Sequence, residues 1–294
     1  MSTACSPLHA PFYADHATFG PAEVLENVRL AERTFRMRIA APAMAERIIP
    51  GQFLMVRIAG WNDPLLGRPF ALYDVVRNSS GQLVAVDFVY LVGGKLTTAL
   101  ARTQPGQTVE AWGPLGNGFP RETECDALVM VAGGIGQTPF LAYGKQQLGS
   151  AAYGLATAES PPKKVILCYG VRTAALLAGE QDFRSAGIDL RVASDDGSVG
   201  RHGLVTELLT EALAEAHGAR QLVVTCGPEP MMERVAEICN TAGVRCLASL
   251  ETPMACGIGI CFSCVAKIAQ PDGDWDYKRT CVEGPVFDAE KIVW

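Results

Sequence analysis

From Ala22 to Ala111 apolar and polar residues alternate in short runs: VLENVRLAERTFRMRIA, GQFLMVRIA, FALYDVVR and QLVAVDFVYLV. A period of two marks strands with one buried face, and Asn78-Ser79-Ser80-Gly81 reads as the turn between two of them. Several short strands at this spacing predict a closed antiparallel barrel. A helix is predicted over 95–102, Pro105-Gly106 marks a turn, and the glycine-rich stretch from Gly113 to Gly118 closes the barrel. Beyond Ala127 the pattern changes. The apolar runs ALVMVAGG, KKVILCYGV, IDLRVAS and QLVVTCG each precede a helix-length segment, beginning at Gln137, near Thr173, at Leu204 and at Glu229. Strands alternating with helices predict a doubly wound parallel sheet. The small-residue stretch 151–162 reads as an exposed loop and residues 1–16 as a loosely ordered lead-in; there is no internal repeat. The pattern divides the chain into a barrel domain at 17–121, an α/β domain at 122–245 and a cysteine-rich segment at 246–294.

At 294 residues the chain exceeds one comfortable core, in keeping with that division. A net charge of -6 with no Lys/Arg run argues against nucleic acid or an anionic membrane surface as partner. No apolar stretch approaches the ~20 residues that span a bilayer. The first residues, MSTACSPLHAPFYADH, lack the basic start and apolar core of a secretory signal, so the expected compartment is the cytoplasm. Cys5, Cys125, Cys168, Cys239 and Cys246 lie in or beside apolar runs, where a buried reduced thiol is expected.

Cys256, Cys261 and Cys264 stand in a C-x4-C-x2-C spacing, with Cys281 further on. That spacing matches the plant-type 2Fe-2S pattern; a zinc site or ordinary buried cysteines are the alternatives. Gly257 and Gly259 fit a loop that wraps sulfur, because glycine takes positive φ without steric penalty. A cluster carries one electron at a time, so the rest of the chain should hold a redox partner for it.

Four stretches are candidates for that partner. In Gly67-Arg68-Pro69-Phe70-Ala71-Leu72-Tyr73 an arginine beside a rigid proline can offer its guanidinium to a diphosphate; the bland reading is a surface arginine before an edge strand. Val89-Tyr90-Leu91-Val92 runs into Gly94-Lys95-Leu96-Thr97-Thr98, where a helix start favours an anion or is simply N-capped. Gly133-Gly134-Ile135-Gly136 joins a buried strand to a helix and allows a dinucleotide phosphate to approach the backbone, although it is not the full G-x-G-x-x-G fingerprint. Cys226-Gly227-Pro228 ends another strand on the same carboxyl edge, where Cys226 could line a nicotinamide pocket or be structural. Asp195, in Ser194-Asp195-Asp196-Gly197, is placed to accept hydrogen bonds from a ribose and repel a 2′-phosphate, which favours NADH over NADPH, with Arg201 nearby as the counterweight. His9, His16, His202 and His217 form no spaced pair, and no arrangement for hydrolysis is present.

The order RPFALY, AGGIGQTP, CGPEPMM resembles the ferredoxin-NADP reductase superfamily over nearly the whole chain. With MACGIGICFSC and the terminal GPVFDAEKIVW it resembles the electron-transfer subunits of the heteromeric, NAD-linked (B-type) dihydroorotate dehydrogenases. The resemblance implies FAD on the barrel at Arg68, Pro69, Phe70 and Ala71, flanked by Tyr90, Leu91 and Val92, with Leu96, Thr97 and Thr98 near its phosphates. The family motif carries an arginine and a glycine where this chain has Leu91 and Leu96. It further implies NAD as substrate, a 2Fe-2S cluster, and a heterotetramer with a flavin-bearing catalytic subunit that meets the cluster loop and an exposed GPVF segment. The rival within this superfamily is a diaphorase subunit of an NADH-ferredoxin oxidoreductase or a hydrogenase; the rival outside it is a redox sensor. The residues beside the flavin stretch supply no base for dihydroorotate, so the chain is not expected to oxidise that substrate alone.

Overall fold

The computed structural model describes residues 14–120, 125–154 and 162–294. Strands β1 (Thr18–Ala31), β2 (Thr34–Ala40), β3 (Phe53–Ile58), β4 (Arg68–Arg77), β5 (Leu83–Leu91) and β6 (Thr108–Leu115) close an antiparallel barrel in the order β1-β2-β5-β4-β3-β6. The run read as VLENVRLAERTFRMRIA folds back on itself as the β1–β2 hairpin, with Arg33 at φ 55 in the turn. Short helices α1 (Pro42–Ala45) and α2 (Lys95–Leu100) lie against the barrel. Met37, Ile39, Leu54, Leu72, Val86 and Phe88 fill the interior with no exposure to water.

A sheet of seven strands follows, ordered β10-β9-β8-β7-β11-β12-β15. Its members are β7 (Ala127–Gly133), β8 (Lys164–Val171), β9 (Asp189–Ser194), β10 (Arg201–His202), β11 (Gln221–Cys226), β12 (Arg245–Ser249) and, after a two-stranded hairpin β13 (Val265–Ala269)–β14 (Trp275–Arg279), β15 (Val286–Asp288). All pairings are parallel except β12–β15. Helices α3 (Phe140–Gln147), α4 (Glu180–Ser185), α5 (Val205–Glu215) and α6 (Glu229–Ala242) make the crossovers. The buried runs of β7, β8 and β11 need no alternation, because helices cover both faces. The helix expected from Gln137 starts as a 3-10 turn at Gly134–Gln137, and the one near Thr173 is a 3-10 turn ahead of α4.

Barrel and sheet are joined by polar contacts from β4. Asp74 pairs with Lys145 of α3 and accepts from the Tyr153 hydroxyl at 2.7 Å, and Tyr73 donates to Asp182 at 2.7 Å. Tyr153 is fully buried, so the exposed loop expected over 151–162 is corrected at that residue; 155–161 lie outside the described residues, as do residues 1–13 of the expected lead-in and Cys5 and His9. The 121/122 boundary also falls outside them.

The register of the barrel builds a charge ladder. Glu26 pairs with Arg38 across β1–β2, and Arg38 with Asp87 across β2–β5. Arg38 grips Asp87 through two hydrogen bonds at 2.8 and 2.9 Å, and the Asp87 side chain is only 4% exposed. Desolvation wins over the two arginines and pushes the Asp87 carboxyl above its usual range. Removing Arg38 leaves a buried carboxylate with only Arg36 at 3.8 Å. Arg38→Ala is therefore expected to cost about 3 kcal/mol in urea unfolding, and Asp87→Asn distinctly less, since Arg38 keeps Glu26 and reaches water. Equal losses in the two variants would show that the buried carboxylate is not the sensitive member.

Candidate functional site

The sheet order places β7 between β8 and β11: one run of crossovers leads to β8 and β9, the next to β11 and β12. This is the topological switch point of a doubly wound sheet, and the crevice beyond the carboxyl ends of its strands is where ligands bind. Gly133 and Cys226 end the two strands there, with Cys226 opposite Ala132. The glycine loop is used differently from the expectation that all its glycines face phosphate. A Cβ on Gly136 would lie 2.2 Å from the Cys226 carbonyl oxygen, and one on Gly133 would lie 2.7 Å from Met231 and Pro228. Those two glycines let the loop press onto the β11–α6 junction. Gly134, at φ 56 with nothing within 4 Å, is the one whose backbone is open.

A cavity of about 800 Å³ lies between this edge and the barrel. The barrel contributes Arg68, Pro69, Phe70, Ala71, Tyr90, Leu91, Leu96 and Thr97; the sheet edge contributes Ile135 and Cys226. Phe70 stacks on Phe88 at 4.8 Å, which fixes the wall. The Arg68 guanidinium donates only to the carbonyls of Leu66 and Gly67, leaving its charge without a carboxylate among the described residues. Lys95, also in the wall, is paired with Asp63 at 2.7 Å. The Thr97 hydroxyl accepts from the Gly93 and Gly94 amides at 3.0 Å, so the capping role considered for it is real. Val92 bonds back to Arg33, and Thr98 is exposed; neither lines the cavity. Gly227, Pro228 and Asp195 stand on the same carboxyl edge but outside the cavity wall.

Two residues that sequence reasoning missed meet Cys226 in the cavity wall. Ser249 and Glu251 extend from β12 beside Cys226. Burial pushes the Cys226 thiol well above its ordinary value, the Glu251 carboxylate adds to that, and the Ser249 hydroxyl opposes it. Cys226 is thus a neutral thiol at physiological pH, suited to packing and not to nucleophilic attack. Glu251 makes no hydrogen bond or ion pair among the described residues; it is exposed on one side, and the neighbouring cavity wall shifts its carboxyl upward by partial desolvation. It is a carboxyl in the same cavity wall as the flavin stretch that the sequence reading did not single out. The available signal was its place five residues before Cys256, where β12 delivers the chain to the cavity.

The cysteine loop closes the third side. Met254, Ala255 and Ser263 line the cavity, and each lies within two residues of Cys256 or Cys264. Gly257 and Gly259 take φ 74 and 84, and a Cβ on Gly257 would strike Met55 of β3 at 2.6 Å. Trp112 of β6 donates to the Cys256 carbonyl at 2.9 Å, and buried Thr280 donates its amide to the Cys264 carbonyl at 2.7 Å. The thiols fall into two pairs within hydrogen-bonding reach, Cys256 with Cys261 and Cys264 with Cys281. Among the described residues no three His, Cys, Asp or Glu gather as they would about one ion. Two pairs fit a two-iron centre, in which each iron takes two thiolates, and not a single tetrahedral zinc. Hydrogen bonds from Ser263 draw Cys261 down to about 6, and the Cys281 thiol draws Cys264 down to about 6, so each pair offers a thiolate near neutrality.

The terminal GPVF segment departs from the expected exposed face. Gly284, Pro285 and Val286 are buried, Pro285 lines the cavity, and Asn117 holds Val286 through bonds at 2.8 and 3.0 Å. Cys125, Cys168, Cys239 and Cys246 are buried and form no disulfide. No described helix is long and apolar enough to cross a membrane.

Comparison with known proteins agrees with this layout. Residues 21–119 match the oxidoreductase FAD-binding domain, 130–237 the oxidoreductase NAD-binding domain, and 251–293 the iron-sulfur cluster binding domain of dihydroorotate dehydrogenase B. The chain is 36% identical over 266 residues, 90% of its length and 94% of the relative's, to the electron transfer subunit of dihydroorotate dehydrogenase B (NAD(+)) of Bacillus caldolyticus. It is 34% identical over 273 residues, 93% and 97% of the two lengths, to the subunit of the same name from Desulforamulus reducens. Among solved structures, an NADH-dependent reduced ferredoxin-NADP oxidoreductase superposes at TM-score 0.76 with 27% identity, covering 93% of this chain and 90% of the other. Phthalate dioxygenase reductase shares the fold at TM-score 0.58 with 18% identity, covering 90% and 94%. With FAD-binding, NAD-binding and iron-sulfur domains in one chain, the protein belongs to the family of electron-transfer subunits of NAD-linked dihydroorotate dehydrogenase B.

Proposed function

We propose that the chain relays electrons between NAD and the flavin of a separate catalytic subunit that oxidises dihydroorotate in pyrimidine biosynthesis. The observation that carries this reading is the shared cavity, whose wall is made of the barrel stretch, the sheet switch point and the cysteine loop together. The diaphorase alternative is not favoured, because relatives at 30–36% identity over about nine-tenths of the chain bear the dihydroorotate dehydrogenase name.

On this reading Arg68, whose charge has no carboxylate partner among the described residues, neutralises the FAD diphosphate. Pro69, Phe70, Ala71, Tyr90, Leu91 and Leu96 shape the flavin wall; Thr97 caps the helix start beneath it, with Val92 and Thr98 supporting from behind. Gly134 opens its backbone to the nucleotide, while Gly133, Ile135, Gly136, Gly227 and Pro228 shape the crevice in which Cys226 faces the nicotinamide. Asp195 receives the ribose hydroxyls. Arg201 is held by Glu207 at 3.4 Å and Glu211 at 2.5 Å, which draws the one nearby cation considered for a 2′-phosphate toward α5. FAD supplies hydride exchange with the nicotinamide and single-electron exchange with a 2Fe-2S cluster, which Cys256, Cys261, Cys264 and Cys281 would hold. The same reading divides the chain at 17–121, 122–245 and 246–294, places it in a heterotetramer with the catalytic subunit, and locates it in the cytoplasm, where the nine described cysteines, none in a disulfide, persist as thiols.

Three expected outcomes test the reading. Protein purified anaerobically carries about two irons per chain; Cys264→Ser and Cys281→Ser lose the iron and its visible absorption, while Cys239→Ser retains both. Stoichiometric zinc in place of iron would refute the cluster. Arg68→Ala weakens flavin retention by about 10–100-fold, the loss of one charge-assisted contact, read by fluorescence titration of the flavin-free chain. Finally, the isolated chain reduces a dye with NADH, about tenfold or more better than with NADPH, and not with dihydroorotate; activity with dihydroorotate appears when the catalytic subunit is added. Dye reduction by dihydroorotate with this chain alone would overturn the division of labour, since Glu251 would then be serving as its base.

A further inference from the structure

The hairpin β13–β14 fills the sequence between Cys264 and Cys281. Its two faces are unlike. On the inner face Ile268 is buried and bridges to Ile292 of the C-terminal tail. On the outer face the register sets Lys267 opposite Tyr277 and Val265 opposite Arg279, so Trp275, Tyr277 and Arg279 rise on one side with Lys267. Tyr277 is 52% and Trp275 41% exposed, their rings edge to face at 5.1 Å. The Lys267 ammonium sits 4.7 Å over the Trp275 ring and has no carboxylate partner among the described residues.

The stripe runs on into the cysteine loop. The Arg279 guanidinium lies 5.0 Å from the Phe262 ring and donates to the Gly259 carbonyl at 3.0 Å, which locks the loop to the strand. Phe262 is 63% exposed and takes φ 54, the left-handed region that an aromatic residue enters only at a cost. Apart from the Arg279 contact, the apolar ring is held in strained backbone and left in water. It is adjacent to Cys261, the exposed member of the four cysteines.

We propose that this outer stripe, from Phe262 through Arg279 and Tyr277 to Trp275, is the surface on which the flavin-bearing catalytic subunit docks. The proposal rests on the electron-relay reading and adds the face through which it works. Electron tunnelling falls steeply with distance, so the protein that exchanges electrons with the cluster must approach its exposed side, and Cys261 marks that side. Tyrosine and tryptophan are among the residues that anchor protein interfaces, and here Arg279, itself held by Glu283 at 3.1 Å and mostly buried, joins them to Phe262. Lys267 at the far end calls for a carboxylate on the partner. The buried GPVF segment cannot serve as the contact.

The test uses the holoprotein with the catalytic subunit. Phe262→Gly relieves the backbone strain and should leave thermal stability unchanged or raised, with iron content and NADH–dye turnover as in the wild type. Trp275→Ala/Tyr277→Ala should likewise keep iron and dye turnover. Both variants are expected to raise the Kd for the catalytic subunit at least tenfold by titration calorimetry, and to lower dihydroorotate–NAD turnover in proportion, recoverable at saturating partner. Wild-type Kd in both variants, with wild-type protein binding normally, overturns the docking stripe and leaves the relay standing. Failure of the wild-type chain itself to bind the catalytic subunit overturns both. If the isolated chain dimerises and the variants are monomers with unchanged Kd, the stripe belongs to a second copy and the proposal fails.

Discussion

The closeness of the cysteine loop to the barrel wall governs the architecture, and it is set at Gly257. A side chain there would collide with Met55 at 2.6 Å, and the residue already takes φ 74, so only glycine satisfies both conditions. With the loop seated, Met254, Cys264, Cys281 and Val282 form a small apolar core with Phe53, Met55 and Leu115 of the barrel. The cavity wall, the sulfur pairs and the packing of the barrel rim therefore share atoms. A loop held one ångström further out would open the cavity to water and separate the pairs from the flavin wall at the same time.

Electrostatics inside the cavity follow the same economy. Of the two cations in the cavity wall, Arg68 at the rim has no anion among the described residues, while Lys95 is paired with Asp63. Deeper in the crevice Cys226 is held as a thiol, while Glu251 keeps an exposed edge at the cavity wall. A mainly apolar wall with Arg68 at the rim suits a ligand whose ring is apolar and whose phosphates reach outward. The Asp87–Arg38 pair, by contrast, lies in the barrel remote from the cavity wall and serves the register of three strands.

The period-two runs made the barrel legible, and the strand–helix alternation made the sheet legible, because both patterns follow from which face is buried. The cysteine spacing was equally plain. Less visible was the use of individual glycines: Gly133 and Gly136 read as phosphate-facing but pack against Pro228, Met231 and the Cys226 carbonyl, and only the neighbours in space distinguish those uses. Ser249 and Glu251 were hidden because nothing in their local sequence announces that β12 ends at the cavity. GPVF was expected beside the cluster loop on an exposed face because a cluster that exchanges electrons with a partner must lie near the surface, yet it leads into β15, which covers the open edge of β12. Tyr153 was lost in a stretch of small residues, its partner Asp74 being 79 positions away.

β15 pairs antiparallel with β12, so the cysteine-bearing lobe is inserted between two adjacent strands of one sheet and does not hang from a linker. Both ends of the insertion are anchored within hydrogen-bonding distance of each other, at Ser249 and Val286. Entropically the lobe behaves as a closed loop: if its contacts loosen, it can open as a local unit while the sheet keeps its edge strand and its register. The edge also stays covered during such opening, which protects the chain from strand-to-strand association. In evolutionary terms the arrangement is modular, since a redox lobe can be gained or lost at one hairpin without redrawing the nucleotide sheet.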